Sequence, residues 1–142
     1  MMESLSLDRK RRVLHILDQV EKAVLTLEER TQCIKSTDDF LLTSSGMEKL
    51  DAACMLLIAI GESFKNIDKI TDKKLLMTYP IIPWKDVMGL RDIVAHHYFH
   101  IDAEQIFYTI KNELPLLLEA ILFFKKEVLS NADSKEWKMS NE

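Results

Sequence analysis

The sequence predicts an all-α domain, and three observations predict it. Only three glycines and three prolines occur in 142 residues, so there are few of the punctuation marks that a turn-rich β fold requires. Apolar residues make up 47% of the chain and recur at the three-and-four spacing of one helical face. The length is that of one ordinary domain with a sizeable core. Residues 1–130 read as that single domain, and the polar stretch 131–142 reads as a frayed tail.

Val13, Ile16, Leu17, Val20, Val24 and Leu27 predict a first helix from about Asp8 to Thr31 with a charged outer face. Ser36, Thr37 and Asp38 are cap-type residues ahead of a brief helix or turn at Phe40 to Leu42. Ser44 or Ser45 is positioned to cap the next long helix. It carries Met47, Leu50, Ala53, Cys54, Leu57, Ile58 and Ile60 to about Ile67. Its middle is apolar almost all round, which predicts the central, most buried helix.

Residues 68–83 predict a loop, because Pro80 and Pro83 push the residues before them away from helix. Pro83 suits a helix start. From Trp84 the pattern Val87, Met88, Leu90, Val94, Ala95 predicts one helix reaching the histidines. Asp102 with Gln105 resembles a capping box opening the last helix, which runs through Ile106, Ile110, Leu114, Leu117, Leu118, Ile121 and Leu122. Pro115 should kink that helix without ending it, since the apolar period continues on both sides.

The longest uncharged apolar run, 52–60, is far too short to span a bilayer, and residues 1–12 lack the apolar core of a signal peptide. A soluble, cytoplasmic protein without a membrane partner is expected. Cys33 and Cys54 fit no metal spacing and are too few for a disulfide framework, so reduced thiols are expected. A net charge of −4 argues against broad binding to a phosphate backbone but leaves room for a small, locally basic site.

The chemistry is concentrated in GLRDIVAHHYFHID, residues 89–102, which hold three of the four histidines. On a helix Asp92, His96 and His100 stack at four-residue spacing, while Arg91 and Tyr98, seven apart, return to one face. A carboxylate one turn before a histidine can accept its N–H and raise its pKa, which prepares an acid–base group. Arg91 offers a planar donor fork for a phosphate oxygen. Together they describe metal-independent RNA cleavage, with no nucleophile from the protein and no cofactor. The same cluster could simply satisfy the dipole and last carbonyls of a helix end. A metal held by His96, His100 and Asp92 is geometrically open, but no metalloprotease pattern accompanies it.

AIGESFKNI at 59–67, YPIIPWKDVMGLRDIVAHHYFHID at 79–102 and IKNELPLLLEAI at 110–121 resemble the HepT branch of the HEPN superfamily over roughly Leu14 to Ile121. The diagnostic element is an arginine, four residues, a histidine, one residue and a tyrosine, here Arg91, His96 and Tyr98. The resemblance implies an antiparallel bundle of four to five helices that forms a homodimer, the two motifs facing one cleft. It implies a ribonuclease toxin of a type VII toxin–antitoxin system, with RNA as substrate. The partner would be an MNT-type nucleotidyltransferase antitoxin that silences it by adding AMP to the motif tyrosine. Carried over, Arg91 and His96 are the catalytic pair, Tyr98 the AMP acceptor, and Asp92 and Glu62 supporting residues. Asp92 departs from the family's usual asparagine; it could hold His96 and would repel a phosphate. His97 stands where the family often has glycine or an acidic residue. Glu62 matches a frequent acidic position and is expected to pack against the motif helix. The alternative reading is a catalytically weak HEPN dimer that binds a nucleotide or a partner.

Overall fold

The protein is described here from a computed structural model covering residues 5–96 and 102–130, the side chain of His96 excepted. Helix α1, Leu7–Arg30, begins at Ser6, whose hydroxyl accepts from the Arg9 amide at 3.2 Å. It buries Val13, Leu17, Val20, Val24 and Leu27, five of the six apolar residues read as its inner face. The short α2, Thr37–Leu41, carries a reciprocal capping box between Ser36 and Asp39 and inserts Phe40 fully into the core.

Helix α3, Ser44–Ile70, is capped by Thr43, whose hydroxyl accepts from Gly46 N at 2.9 Å. The cap therefore lies one or two residues before the serines the sequence suggested. The reason is at Gly46. A Cβ there would sit 2.8 Å from the Phe40 carbonyl oxygen, so the first turn of α3 is pressed onto the end of α2 and is already helical at Ser44. Helix α3 also runs one turn beyond the expected Ile67, because Ile67 and Ile70 are both buried. Two left-handed residues, Asp72 and Lys73 (φ 53° and 64°), then end it. The segment read as a loop contains a short 3₁₀ turn, Leu76–Thr78, anchored by fully buried Leu75 and by Leu76.

The stretch from Trp84 is not one helix, and here the sequence reading is corrected. Helix α4, Trp84–Met88, starts after Pro83 and stops at Gly89, whose amide donates back to the carbonyls of Lys85 and Asp86. Helix α5, Leu90–His96, then resumes. Glycine carries the largest entropic cost in a helix, and this one separates the packing of Trp84 from that of the motif. The last helix opens at Asp102, whose carboxylate accepts from Gln105 N at 3.1 Å. It proceeds as α6, Ala103–Tyr108, a π turn at Thr109–Glu113, and α7, Leu114–Ser130. Pro115 has no N–H for the Lys111 carbonyl and its ring crowds that carbonyl. The wider π turn immediately before it accommodates both, and the helix continues past Pro115 as the sequence reading expects.

The packing is antiparallel, as expected. Arg9 at the start of α1 meets Asp72 at the end of α3 at 3.3 Å. Lys125 of α7 binds Asp18 and Glu21 of α1 at 2.7 and 2.9 Å, while Lys111 donates to the Thr31 carbonyl at 2.9 Å and so caps α1. The IPW element closes one side: Trp84 packs on Phe64 and Phe124 with ring centroids 4.9 and 5.5 Å apart, and its indole N–H donates to the Tyr79 carbonyl at 2.9 Å. Among the described residues no helix is long and apolar enough to cross a membrane.

Candidate active site

The site is built where α3 passes α5, and the IGE element explains how. Ile60 is fully buried in the core. Gly61 faces the motif segment, and a Cβ built on it would lie 2.5 Å from the Val87 carbonyl oxygen and 3.2 Å from Leu90 Cβ. The absence of a side chain lets the two backbones come together. Glu62, one position on, is then brought beside α5, where Arg91 Nη1 donates to its Oε1 at 3.0 Å. Lys65, one turn further along α3, approaches the other carboxylate oxygen at 3.6 Å. Three consecutive letters thus divide into core, close approach and charge.

The Arg91 hydrogen bond, with help from the Lys65 charge, holds the Glu62 carboxyl below the usual carboxylate range. Glu62 is therefore an anion at neutral pH. Glu62 is the more covered of the pair, 33% exposed against 65% for Arg91. Among the described residues the guanidinium is held through one nitrogen, and its 65% exposure leaves it open to solvent, the form in which its fork can take a phosphate oxygen. The expectation that Glu62 packs against the motif segment agrees with this contact.

Asp92 is exposed and lines an open groove with Lys65, Lys69, Lys73 and Lys85. His96 is the last residue of α5, one turn after Asp92 along the backbone. Whether its imidazole meets the Asp92 carboxylate lies outside the described residues, as do His97, Tyr98 and His100 and the metal reading built on them. On the other side of α5, Ile93 and Val94 border an apolar cavity of about 270 Å³ with Leu57, Ile82, Leu90 and Leu117. Gly61 and the Lys65 link were not singled out as site residues in the sequence. The lysines had a signal, the four-residue recurrence of 65, 69 and 73; the α3–α5 approach had none beyond a glycine inside an otherwise helical run.

The family model described as "Ribonuclease HepT-like" matches residues 20–123. The chain belongs to the HepT-like ribonuclease family. It is 34% identical to the "Probable ribonuclease HepT" of Thermococcus cleftensis over 71% of this chain and 84% of that protein. It is 31% identical to "Putative RNase TTE0752" of Caldanaerobacter subterraneus over 81% of this chain and 88% of that one. A Methanocaldococcus jannaschii protein named "Gamma-glutamylcyclotransferase and putative RNase MJ0434" is 34% identical over 85% of this chain. The HepT-like chain spans about half of that relative's length. No solved structure matches the chain.

Proposed function

We propose that this HepT-like protein is a metal-independent endoribonuclease in which Arg91 receives the scissile phosphate and His96 moves the proton. The observation that carries the reading is the tethered, solvent-facing guanidinium of Arg91, held on Glu62 at 3.0 Å on the same short helix that ends in His96. In the proposed step the ribose 2'-oxygen attacks phosphorus as His96 takes its proton. Arg91 offsets the charge that develops on the phosphorane. The P–O5' bond then breaks, and the proton is returned to the departing 5'-oxygen. The products are a 2',3'-cyclic phosphate and a 5'-hydroxyl, with no protein nucleophile consumed. Glu62 is a positioning residue in this scheme, and Asp92 a supporting one that tunes His96.

The same reading includes a homodimer acting in the cytoplasm. Ile81, Ile93 and Leu116, exposed at 76%, 48% and 47%, surround the apolar cavity beside α5, which supports burial of this face against a second copy. Regulation follows from the motif: AMP placed on Tyr98 by an MNT-type nucleotidyltransferase would add phosphate charge and bulk close to the arginine meant for RNA. Exposed Asp92 favours a second reading, a catalytically weak dimer that binds nucleotide or partner, since a carboxylate next to Arg91 disfavours an anionic substrate.

One comparison tests the enzyme reading: wild type and His96→Ala, purified identically, on single-stranded RNA with EDTA present. Loss of a general acid–base group costs about 10² to 10⁴ in rate, so His96→Ala should be nearly inert while retaining its helical spectrum. Equal cleavage by both proteins would refute the assignment, and no cleavage by unmodified wild type would favour the binding module.

A further inference from the structure

The charge of the chain is strongly segregated. Residues 5–16, 62–74 and 85–92 hold ten of the nineteen lysines and arginines but six of the twenty-three acidic residues. These segments meet at one end of the bundle, joined by the Arg9–Asp72 and Arg91–Glu62 pairs. The three segments together carry a formal charge of +4 and the remaining residues of the sequence −8, although the whole is −4. A groove runs through the basic end. Its walls are Lys65, Lys69 and Lys73 from α3 and its terminal turn, and Lys85, Gly89 and Asp92 from α4 and α5.

Three features make this a track and not a scatter of surface charge. Lys65 and Lys69 are one helical turn apart, about 6 Å along the axis, and exposed Lys73 continues their line beyond the helix. The turn that carries Lys73 is built from two successive left-handed, non-glycine residues, a conformation costing roughly 1–2 kcal/mol per residue that persists only where its surroundings enforce it. Those surroundings are visible: buried Thr71 donates to the Ile67 carbonyl at 2.9 Å, and Arg9 holds Asp72. The groove also holds Asp68, Asp72 and Asp92; the Arg9 contact offsets Asp72, leaving the four lysines in excess of the other two. Finally, the groove ends at the proposed scissile position, because Lys65 shares Glu62 with Arg91.

We propose that the groove lined by Lys65, Lys69, Lys73 and Lys85 carries the sugar–phosphate backbone of single-stranded RNA flanking the phosphate at Arg91. The proposal rests on the ribonuclease reading. Flexible ammonium groups contact phosphates without reading bases, so the track contributes affinity and salt dependence but not sequence choice.

The test is the salt dependence of binding to a short single-stranded 2'-O-methyl RNA, which lacks the attacking hydroxyl and stays intact on the wild-type protein. The triple variant Lys69→Gln, Lys73→Gln, Lys85→Gln is compared with a control, Lys22→Gln, Lys35→Gln, Lys126→Gln, made at exposed lysines elsewhere. Each lost phosphate contact lowers the slope of log K against log salt by about 0.7, so the groove variant should lose about 2 from its slope. At 0.1 M salt that is roughly 10²-fold weaker binding, if the two proteins converge near 1 M. On cleavable RNA it should raise KM and leave kcat near the wild-type value. An unchanged slope in a variant that melts like the wild type, while the wild type binds and cleaves, overturns the groove alone. No RNA binding by the wild type overturns the groove and the ribonuclease reading together. Intact RNA binding with lost binding to poly-glutamate would assign the groove to an acidic protein segment and likewise overturn the proposal.

Discussion

Gly61→Ala is the substitution whose outcome the structure constrains most tightly. The added methyl would stand 2.5 Å from the Val87 carbonyl oxygen, where ordinary contact begins at 3.4 Å. The obstacle is backbone, so α3 and the α4–α5 segment must separate by most of an ångström. Overpacking of this kind costs about 1–3 kcal/mol, and the better helix propensity of alanine returns up to about 1 kcal/mol. A net loss of about 1–2 kcal/mol follows, near 4 °C in Tm per kcal/mol for a domain of this size, hence a fall of about 4–8 °C by circular dichroism. The same displacement draws Arg91 away from Glu62, and a misplacement near 1 Å can cost about 10² in rate. RNA cleavage should therefore fall well below what a small loss of folded protein explains at 25 °C. A variant as stable and as active as the wild type would refute the claim that Gly61 sets the distance between α3 and the motif.

Glu62→Gln keeps the shape and removes the charge that tethers Arg91, so kcat should fall about 10- to 100-fold while RNA binding, relieved of an anion, does not weaken; an unchanged kcat would remove Glu62 from the site. Because the folded-state pKa of Glu62 is lowered from 4.5, its stabilising contribution is present above that value and is lost as pH falls through the lowered one. The Tm difference between wild type and Glu62→Gln should therefore hold from pH 6 to 8 and close on acidification below 4.5; a difference growing toward acid would contradict the sign. Burial, then Asp51, pushes the Cys54 thiol up to about 11, so brief iodoacetamide treatment at pH 8 should label exposed Cys33 and spare Cys54. Labelling of both at equal rates would show that α3 opens readily at that point. Incubation with ATP and an MNT-type nucleotidyltransferase should place AMP on the peptide containing Tyr98 and none on Tyr98→Phe; modification of both would move the acceptor elsewhere.

Much of the fold was legible because helices announce themselves through local periodicity. The inner face of α1, the buried face of α3, the Asp102 start and the continuation of the last helix past Pro115 all follow from residues within a turn or two of one another, although Met55 in the apolar middle of α3 is exposed. Tertiary contact decided the rest. Gly89 reads as a tolerable helix residue, yet it divides α4 from α5 because Trp84 is committed to Phe64 and Phe124. Thr43, not Ser44, caps α3 by accepting from Gly46 N, at the point where α3 meets the end of α2. Arg91 was readable as a phosphate ligand from its motif and Glu62 was expected against the motif helix, but that the two pair directly, 29 residues apart, depends on the close approach at Gly61. The groove lysines share their spacing with any solvated helix face, and what distinguishes them is the turn at Asp72 and the wall supplied by Lys85.

The central claim is that the ribose 2'-hydroxyl, activated by His96 and directed at a phosphate on Arg91, cuts the strand without a metal. The ends of the products report this most directly. RNA cut by the wild-type protein in EDTA should carry 2',3'-cyclic phosphates and 5'-hydroxyls by mass spectrometry, and Arg91→Ala should yield neither in the same time. Products with 3'-hydroxyl and 5'-phosphate ends would mean that water was the nucleophile and would contradict the account.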